Sequence, residues 1–315
     1  MLFFSLHYFV FLFFLFLFWF LMIFWFSREP IQEKNVICGI HSVFIVKENI
    51  LFLEEWIDHH WLLGFQYFFL YDNSKVQTKN YFNRNNPKLI PKKQNKHGIS
   101  YDKMFNHLSQ EEQEELLNKI CNKYQGHIFI YEWSKKDKDG KIGHFQDEAL
   151  DHILSALQKK EIFPNVHWLA CIDMDEYIYI HPSKDGMISI SSFLHSLHWS
   201  YSNVLLSQIK YESRFHHLDS FVVDIPYRQK SRGWFQDQKY ICRIKNSHKL
   251  WIHKWFGWGQ QYIAPIQKIG YCHYNLPKLQ QKEKKNTILF PEIWRNQVKK
   301  MHSSSSTHWR LSYIS

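Results

Sequence analysis

Carboxylates cluster directly behind a strongly apolar run in the middle of the chain. Asp173, Asp175 and Glu176 follow the segment WLACI at 168–172. Hard divalent cations such as Mg²⁺ and Mn²⁺ prefer oxygen ligands, and Mg²⁺ is commonly held by one or two carboxylates together with substrate phosphates. A D-x-D motif at the end of a buried strand therefore predicts a cation site for a ligand that carries phosphate.

A second D-x-D motif, from Asp137 to Asp139, lies in a different setting. Its neighbours are charged on both sides and Gly140 closes the segment. That composition is typical of a solvated turn. The copy behind the apolar run is therefore the candidate metal site.

The elements that must position these carboxylates follow a pattern typical of a parallel α/β sheet. Residues 36–46 and 67–71 are rich in β-branched and aromatic side chains and predict strands, and an apolar stripe predicts a helix over 50–63 that ends at Gly64. Because strand, helix and strand follow one another, a ligand is expected at the carboxyl ends of the strands. Asp72, which ends the second strand, would share that edge with Asp173.

The rest of the chain continues this pattern and then becomes rich in strands. Apolar periodicity predicts helices over 108–124, with Ser109 as N-cap, 145–160 and 188–197, and strands over 127–133, 177–180, 204–209, 239–244 and 250–255. The expected fold class is α/β, with a mixed, mostly parallel sheet flanked by helices.

The amino-terminal segment differs sharply in composition from everything after it. Residues 1–27 contain no Asp, Glu, Lys or Arg and are mostly Phe, Leu and Trp. A helix of that length exceeds the roughly 30 Å hydrocarbon core of a bilayer. A signal peptide is the alternative, but a basic n-region and a small-residue cleavage site are absent. An uncleaved transmembrane helix is predicted, followed by a short stem over 28–35.

The formal charge of +10 falls entirely on the residues after this segment. A basic surface attracts a polyanion, a sugar nucleotide or anionic lipid headgroups. Basic residues are densest at 88–96 and 278–285, and the second cluster opens a C-terminal extension over 278–315. Neither cluster lies in a nucleic-acid-binding motif, so nucleic acid is not an expected partner. The five cysteines stand singly, which argues against a C-x-x-C zinc or redox site.

Two segments together resemble glycosyltransferase family 92 and related GT-A glycosyltransferases of the family 2-like type. They are VFIVKENILFLEEWIDHHWLLGFQYFFLYDNS at 43–74 and HWLACIDMDEYIYI at 167–180. The matching positions, in family order and spacing, are Glu55, Trp56, His59, His60, Gly64, Tyr71 to Ser74, Trp168 and Asp173 to Glu176. Two positions depart from the pattern: Lys47-Glu48-Asn49 inverts the family's K-N-E, and Asn275 replaces the arginine of H-Y-R.

The resemblance implies a GT-A-like, Rossmann-like domain over 36–277 in a membrane-anchored enzyme. Such an enzyme moves a sugar, such as galactose, from a UDP-sugar to a glycan hydroxyl with inversion. The resemblance also implies a single-pass type II protein that faces the Golgi or ER lumen. The basic residues that follow the apolar segment, Arg28, Lys34 and Lys47, favour the opposite orientation.

The resemblance further implies roles for individual residues. Asp173, Asp175 and His273 would hold Mn²⁺ or Mg²⁺, with His253 as a reserve ligand. The nucleotide-sugar donor would be bound by Asp72, Lys47, Lys239 and Gln146. Packing is the alternative role for His273, and an Asx turn is the alternative for Asp72.

Inversion by a single displacement requires a base that accepts the proton of the acceptor hydroxyl. Asp224 is the first candidate, and Glu212, Asp219 and Asp237 are rivals. Glu176 completes the catalytic group, and beside two metal carboxylates we expect it to orient a ligand or a basic side chain. Two other functions stay open: a metal-dependent phosphohydrolase, and a catalytically decayed membrane protein of the same fold.

Overall fold

The computed structural model describes residues 11–19, 36–75, 108–140, 142–160, 165–181, 189–213, 227–233 and 238–274. The chain divides into two units, Met1–Asn35 and Val36–Ser315. In the first unit residues 11–19 are helical, with exposed Phe and Leu side chains. None of the helices within the described ranges has both the length and the apolar character needed to cross a membrane. The rest of the predicted anchor and the stem lie outside the described residues.

The first half of the second unit alternates strands and helices. Its elements are β1 (Cys38–Phe44), α1 (Val46–Leu62), β2 (Tyr67–Asp72), α2 (Gln110–Lys123), β3 (Ile128–Glu132), α3 (Gln146–Gln158) and β4 (Trp168–Cys171). β1 pairs in parallel with both β2 and β4, and β2 pairs in parallel with β3. The parallel arrangement predicted from the strand-helix-strand order is confirmed.

The second half is rich in strands. Its elements are β5 (Glu176–Ile180), α4 (Ile190–His195), β6 (Tyr201–Ser213), β7 (Tyr227–Gly233), β8 (Lys239–Arg243), β9 (Ser247–Trp251), β10 (Lys254–Gly257), β11 (Gln260–Ile263) and β12 (Ile269–Tyr274). The main sheet runs in the order β3-β2-β1-β4-β8-β6-β12-β5, with β7 and β11 also paired to β6. β8 is antiparallel to β4, and β12 is antiparallel to β5. The sheet is therefore mixed, as predicted.

Local sequence explains where the helices begin and end. Ser109 and Glu112 form the capping box at the start of α2, as its sequence predicts. Gly64 follows α1 with a φ of 96°, a left-handed conformation that glycine adopts without strain. α1 starts at Val46, earlier than predicted, because the Asn49 side chain accepts a hydrogen bond from the Ile45 N–H at 2.8 Å.

Helices cover the sheet on two sides and enclose two apolar clusters. One cluster joins α1 and α2 to the sheet through residues such as Trp56, Ile120 and Phe68. The other joins α3 to the opposite side through residues such as Leu150 and Leu169. Because the faces are covered by helices, the carboxyl ends of the parallel strands are left as the place for a ligand.

One predicted element is wrong. The segment 250–255 was predicted to be a single strand, but it contains the turn of a hairpin between β9 and β10, in which Trp251 pairs with Lys254. The two turn residues, Ile252 and His253, are not types that favour tight hairpin turns, so the sequence carries no local signal. A contact from outside the hairpin holds the turn: the Asp147 carboxylate on α3 accepts a hydrogen bond from the Ile252 N–H at 2.9 Å.

Candidate functional site

The acidic motif forms a tight turn between β4 and β5. The Glu176 N–H donates to the Asp173 carbonyl at 3.1 Å, and the Asp173 N–H donates to the Glu176 carboxylate at 2.9 Å. Glu176 is 1% exposed, so its side chain is fixed inside the turn. The turn thus leaves Asp173 and Asp175 partly exposed at the edge of the sheet.

Lys239 reaches this turn from β8. Because Tyr240 pairs with Cys171 across the β4–β8 ladder, Lys239 lies level with the start of the acidic turn. Its ammonium nitrogen lies 2.8 Å from Asp173 Oδ2 and 3.5 Å from Glu176 Oε2, and its side chain is 2% exposed. The carboxylates of Asp173 and Glu176 thus share the buried ammonium group of Lys239.

His273 reaches the turn from β12, whose antiparallel pairing with β5 sets it opposite Glu176. Its Nε2 atom lies 3.1 Å from Asp175 Oδ2, and its Nδ1 atom lies 2.9 Å from the side-chain amide of Gln208 on β6. Four predicted site residues, Asp173, Asp175, Lys239 and His273, are therefore gathered around Glu176.

Burial and the neighbouring charges shift the pKa values of the groups in this cluster. Burial raises the pKa of the Glu176 carboxyl to about 7, against the effect of Lys239. Burial opposes the charged form of Lys239, but Glu176 and Asp173 outweigh it and raise the pKa of the ammonium. Burial likewise opposes charge on His273, but Asp175 outweighs it and raises the pKa of the imidazole. The cluster therefore favours cations at its centre.

A narrow, partly open cleft lies beside the cluster. Polar groups enter it from His41 on β1, Gln146 at the start of α3, Asp173 and Lys239, and its remaining lining is largely apolar. A mostly apolar cleft with a few convergent polar groups is typical of a small-ligand site. The free space inside it is about that of one water molecule, so a larger ligand would enter only if the walls moved apart.

The cluster contains groups that fit a divalent cation. Asp175 supplies a carboxylate oxygen and His273 an imidazole nitrogen, 3.1 Å apart, and both types ligate Mn²⁺. Metal binding at Nε2 requires the His273 proton on Nδ1. The Gln208 amide nitrogen faces Nδ1 at 2.9 Å, so the amide must turn its oxygen there to accept a hydrogen bond from that N–H. Asp173 is already paired with Lys239. In the described part of the chain, no three His, Cys, Asp or Glu side chains are arranged to hold a metal ion.

The other predicted site residues lie outside the cluster or beyond the described residues. Asp72 accepts a hydrogen bond from the Ser74 N–H at 2.9 Å, which is the Asx-turn alternative. Lys47 is exposed in the first turn of α1. His253 donates to the Gln238 carbonyl at 3.2 Å. Asp224, Asp219 and Asp237 lie outside the described residues, and Glu212 belongs to β6.

Two polar residues of the site, Gln208 and His41, were not found by sequence reasoning. Gln208 lies on β6, and its proximity to His273 depends on the pairing of β6 with β12, which local sequence does not reveal. His41 did carry a signal, because a histidine in the middle of an otherwise apolar strand is a buried polar residue.

The chain matches no protein-family model, and no curated protein is significantly similar to it. The resemblance of its motifs to family 92 glycosyltransferases therefore stays a prediction.

Proposed function

We propose that the chain is a metal-dependent, membrane-anchored glycosyltransferase that transfers a sugar from a UDP-sugar to a glycan hydroxyl with inversion. The observation that carries this proposal is the convergence of Asp175 and His273, 3.1 Å apart, beside the Lys239–Asp173 ion pair. These groups come from β8, β12 and the turn between β4 and β5, and they meet at the carboxyl edge of the sheet. Ligands of open α/β sheets bind at that edge.

The residues of the cluster have separate roles in the proposed binding of a diphosphate. Asp175 and His273 would hold Mn²⁺ or Mg²⁺, and the bound cation would neutralise the charge that develops on the leaving diphosphate. Lys239 holds the turn in place through Asp173 and Glu176. Glu176, buried within the turn, acts as a positioning residue for Lys239. Gln146, which lines the cleft beside the cluster, would contact the nucleotide.

The test is transfer by the purified full-length chain. Incubation with Mn²⁺, a panel of UDP-sugars and glycan acceptors should release UDP and give a product of inverted anomeric configuration. Asp175→Asn should reduce transfer by about a hundredfold or more, because metal charge stabilisation is worth several kcal/mol. Asp139→Asn, in the second D-x-D motif, is the matched control because Asp139 is exposed in a turn and should leave transfer unchanged.

Two results would contradict the proposal. Release of inorganic phosphate from simple phosphate esters, without transfer from any UDP-sugar, would assign the site to a phosphohydrolase. A melting temperature that does not change with Mn²⁺ and UDP would indicate a decayed site, since a ligand that binds the native state must stabilise it.

A further inference from the structure

The hairpin of β9 and β10 presents an exposed face of lysine and aromatic side chains. Opposed residues of antiparallel strands project to the same side of a sheet, and so does every second residue along one strand. Trp251 pairs with Lys254, and Lys249 pairs with Phe256, so these four side chains share one side. All four are exposed. These four residues form the hairpin face.

The opposite side of the hairpin is packed against α3. Leu250 is fully buried and Trp255 is partly buried in the apolar cluster beside that helix. Along the edge of β9, the backbone N–H groups of Leu250 and Ile252 donate to the carboxylates of Asp151 and Asp147. These two carboxylates are thus engaged with the backbone of β9, and the hairpin face is a preformed surface.

The hairpin face lies in a basic part of the chain that also exposes apolar groups. Residues 238–274 contain six Lys or Arg residues and no Asp or Glu. Among the residues described after position 35, five large apolar side chains are exposed, and four of them lie within 251–263. They are Trp251, Phe256, Trp258 and Ile263. Positive charge beside exposed apolar groups predicts a partner that offers both negative charge and an apolar layer.

The packing of the rings within the hairpin face separates two kinds of anionic partner. A sugar or a nucleic-acid base that stacks on a protein needs an open aromatic face. The Lys249 ammonium lies over the Trp251 ring, 5.4 Å from its centroid, and the Phe256 ring meets Trp251 edge to face at 4.9 Å. Since its neighbours crowd this ring, the hairpin face favours a broad surface over a single stacked ring.

We propose that the hairpin face docks on an anionic lipid surface. Lys249 and Lys254 would contact the charged headgroups, and Trp251 and Phe256 would lie at the level where headgroups meet the acyl chains. Lysine residues near a surface of anionic lipid are attracted to it, and aromatic side chains concentrate at membrane interfaces. The predicted apolar anchor at 1–27 points to the same partner. The inference goes beyond the proposed function and does not depend on sugar transfer.

The test compares amide hydrogen exchange of the full-length chain in lipid nanodiscs of phosphatidylcholine and of an equal mixture of phosphatidylcholine and phosphatidylserine. Exchange over 249–256 should be at least about fivefold slower in the anionic nanodiscs, the gain expected from about one lysine near such a surface. Added salt should remove the difference, because salt screens exposed charges.

Substitutions locate the contact on the chain. Lys249→Gln combined with Lys254→Gln should abolish the slower exchange, and Trp251→Ala should weaken it. Lys136→Gln combined with Lys138→Gln is the matched control, because it removes the same charge from exposed positions beside the second D-x-D motif. The control pair should keep the slower exchange of the wild-type chain.

Equal exchange in the two kinds of nanodisc would overturn the inference. It would also fall if the slower exchange survived the loss of both hairpin lysines, or if the control pair abolished it too. Slower exchange with heparin, an anionic polysaccharide, but not with phosphatidylserine would assign the face to a glycan instead. If the substituted chains do not fold, the wild-type comparison decides. Absence of sugar transfer would overturn the proposed function alone.

Discussion

At the scale of single residues, Lys239 sets the charge balance of the acidic turn. It is almost fully buried and is the cation shared by Asp173 and Glu176. Removing one partner of a buried ion pair is strongly destabilising because it leaves the other charge uncompensated. The Glu176 side chain is 2% exposed, but with its pKa near 7 it can take up a proton, and the Asp173 side chain is 39% exposed and is partly screened by water.

Lys239→Met should therefore lower the free energy of unfolding by about 1–2 kcal/mol, less than a fully buried pair would lose, because Glu176 can be protonated and Asp173 is partly solvated. Urea unfolding at pH 7, followed by circular dichroism, measures this loss. Lys245→Met is the control, because Lys245 is exposed just beyond the same strand and should change stability by less than about 0.5 kcal/mol. A Lys239→Met variant as stable as the wild type would show that the ion pair is not needed.

At the scale of elements, side chains of α1 hydrogen-bond to the edge of β5 that faces away from β12. β5 ends the strand order, with β12 on its other side. Trp56 Nε1–H donates to the Glu176 carbonyl at 2.9 Å, and His59 Nε2 pairs with the Ile178 carbonyl at 2.6 Å. The Ile178 N–H donates to His60 Nε2 at 3.2 Å. Side chains of one helix thus replace the hydrogen bonds of a missing strand and hold the strand that carries Glu176.

His60→Phe tests whether β5 depends on α1, because the substitution keeps a ring of similar size but removes the acceptor for the Ile178 N–H. The free energy of unfolding should fall by about 1–3 kcal/mol, the cost of an unsatisfied buried group. Amide hydrogen exchange at Ile178 should accelerate as well. His248→Phe, the same change at an exposed histidine, is the control. Unchanged exchange at Ile178 would contradict the role of α1 in holding β5.

At the scale of the whole molecule, buried histidines couple the fold to pH. Burial lowers the pKa of His41 to about 3 and of His59 to about 4, and burial together with the nearby His59 lowers that of His60 well below its usual value. These groups stay neutral in the native state, but in the unfolded chain they bind protons below about pH 6.5. Their contribution to the free energy of unfolding is present above that pH and is lost as the pH falls.

Stability should therefore fall on acidification from pH 6.5 to 4.5. Three histidines favour proton uptake by the unfolded chain, whereas Glu176, with its pKa raised to about 7, takes up one proton in the native state. The net difference of two protons corresponds to about 3 kcal/mol per pH unit. Urea unfolding at half-unit steps of pH measures the slope. His59→Gln should reduce it by about half, and a flat profile would contradict the neutral state of these histidines.

The sequence determined the elements whose signals are local. Periodicity predicted β1, α1 and β2 with small shifts at their ends, and Ser109 predicted the cap of α2. The acidic motif behind β4 was identified because an apolar run and a carboxylate cluster are adjacent in the chain. These features depend on residues within a few positions of each other, so they can be recognised before any fold is known.

The tertiary structure decided which distant residues join that motif. Lys239 meets Asp173 across 66 positions and His273 meets Asp175 across 98, and both contacts depend on how β8 and β12 enter the sheet. Motif resemblance had proposed these residues, but only strand register places them together. Gln208 and the hairpin turn at Ile252 had no comparable signal. Their environments are created by strands and helices remote in the chain, because packing brings together groups that local sequence keeps apart.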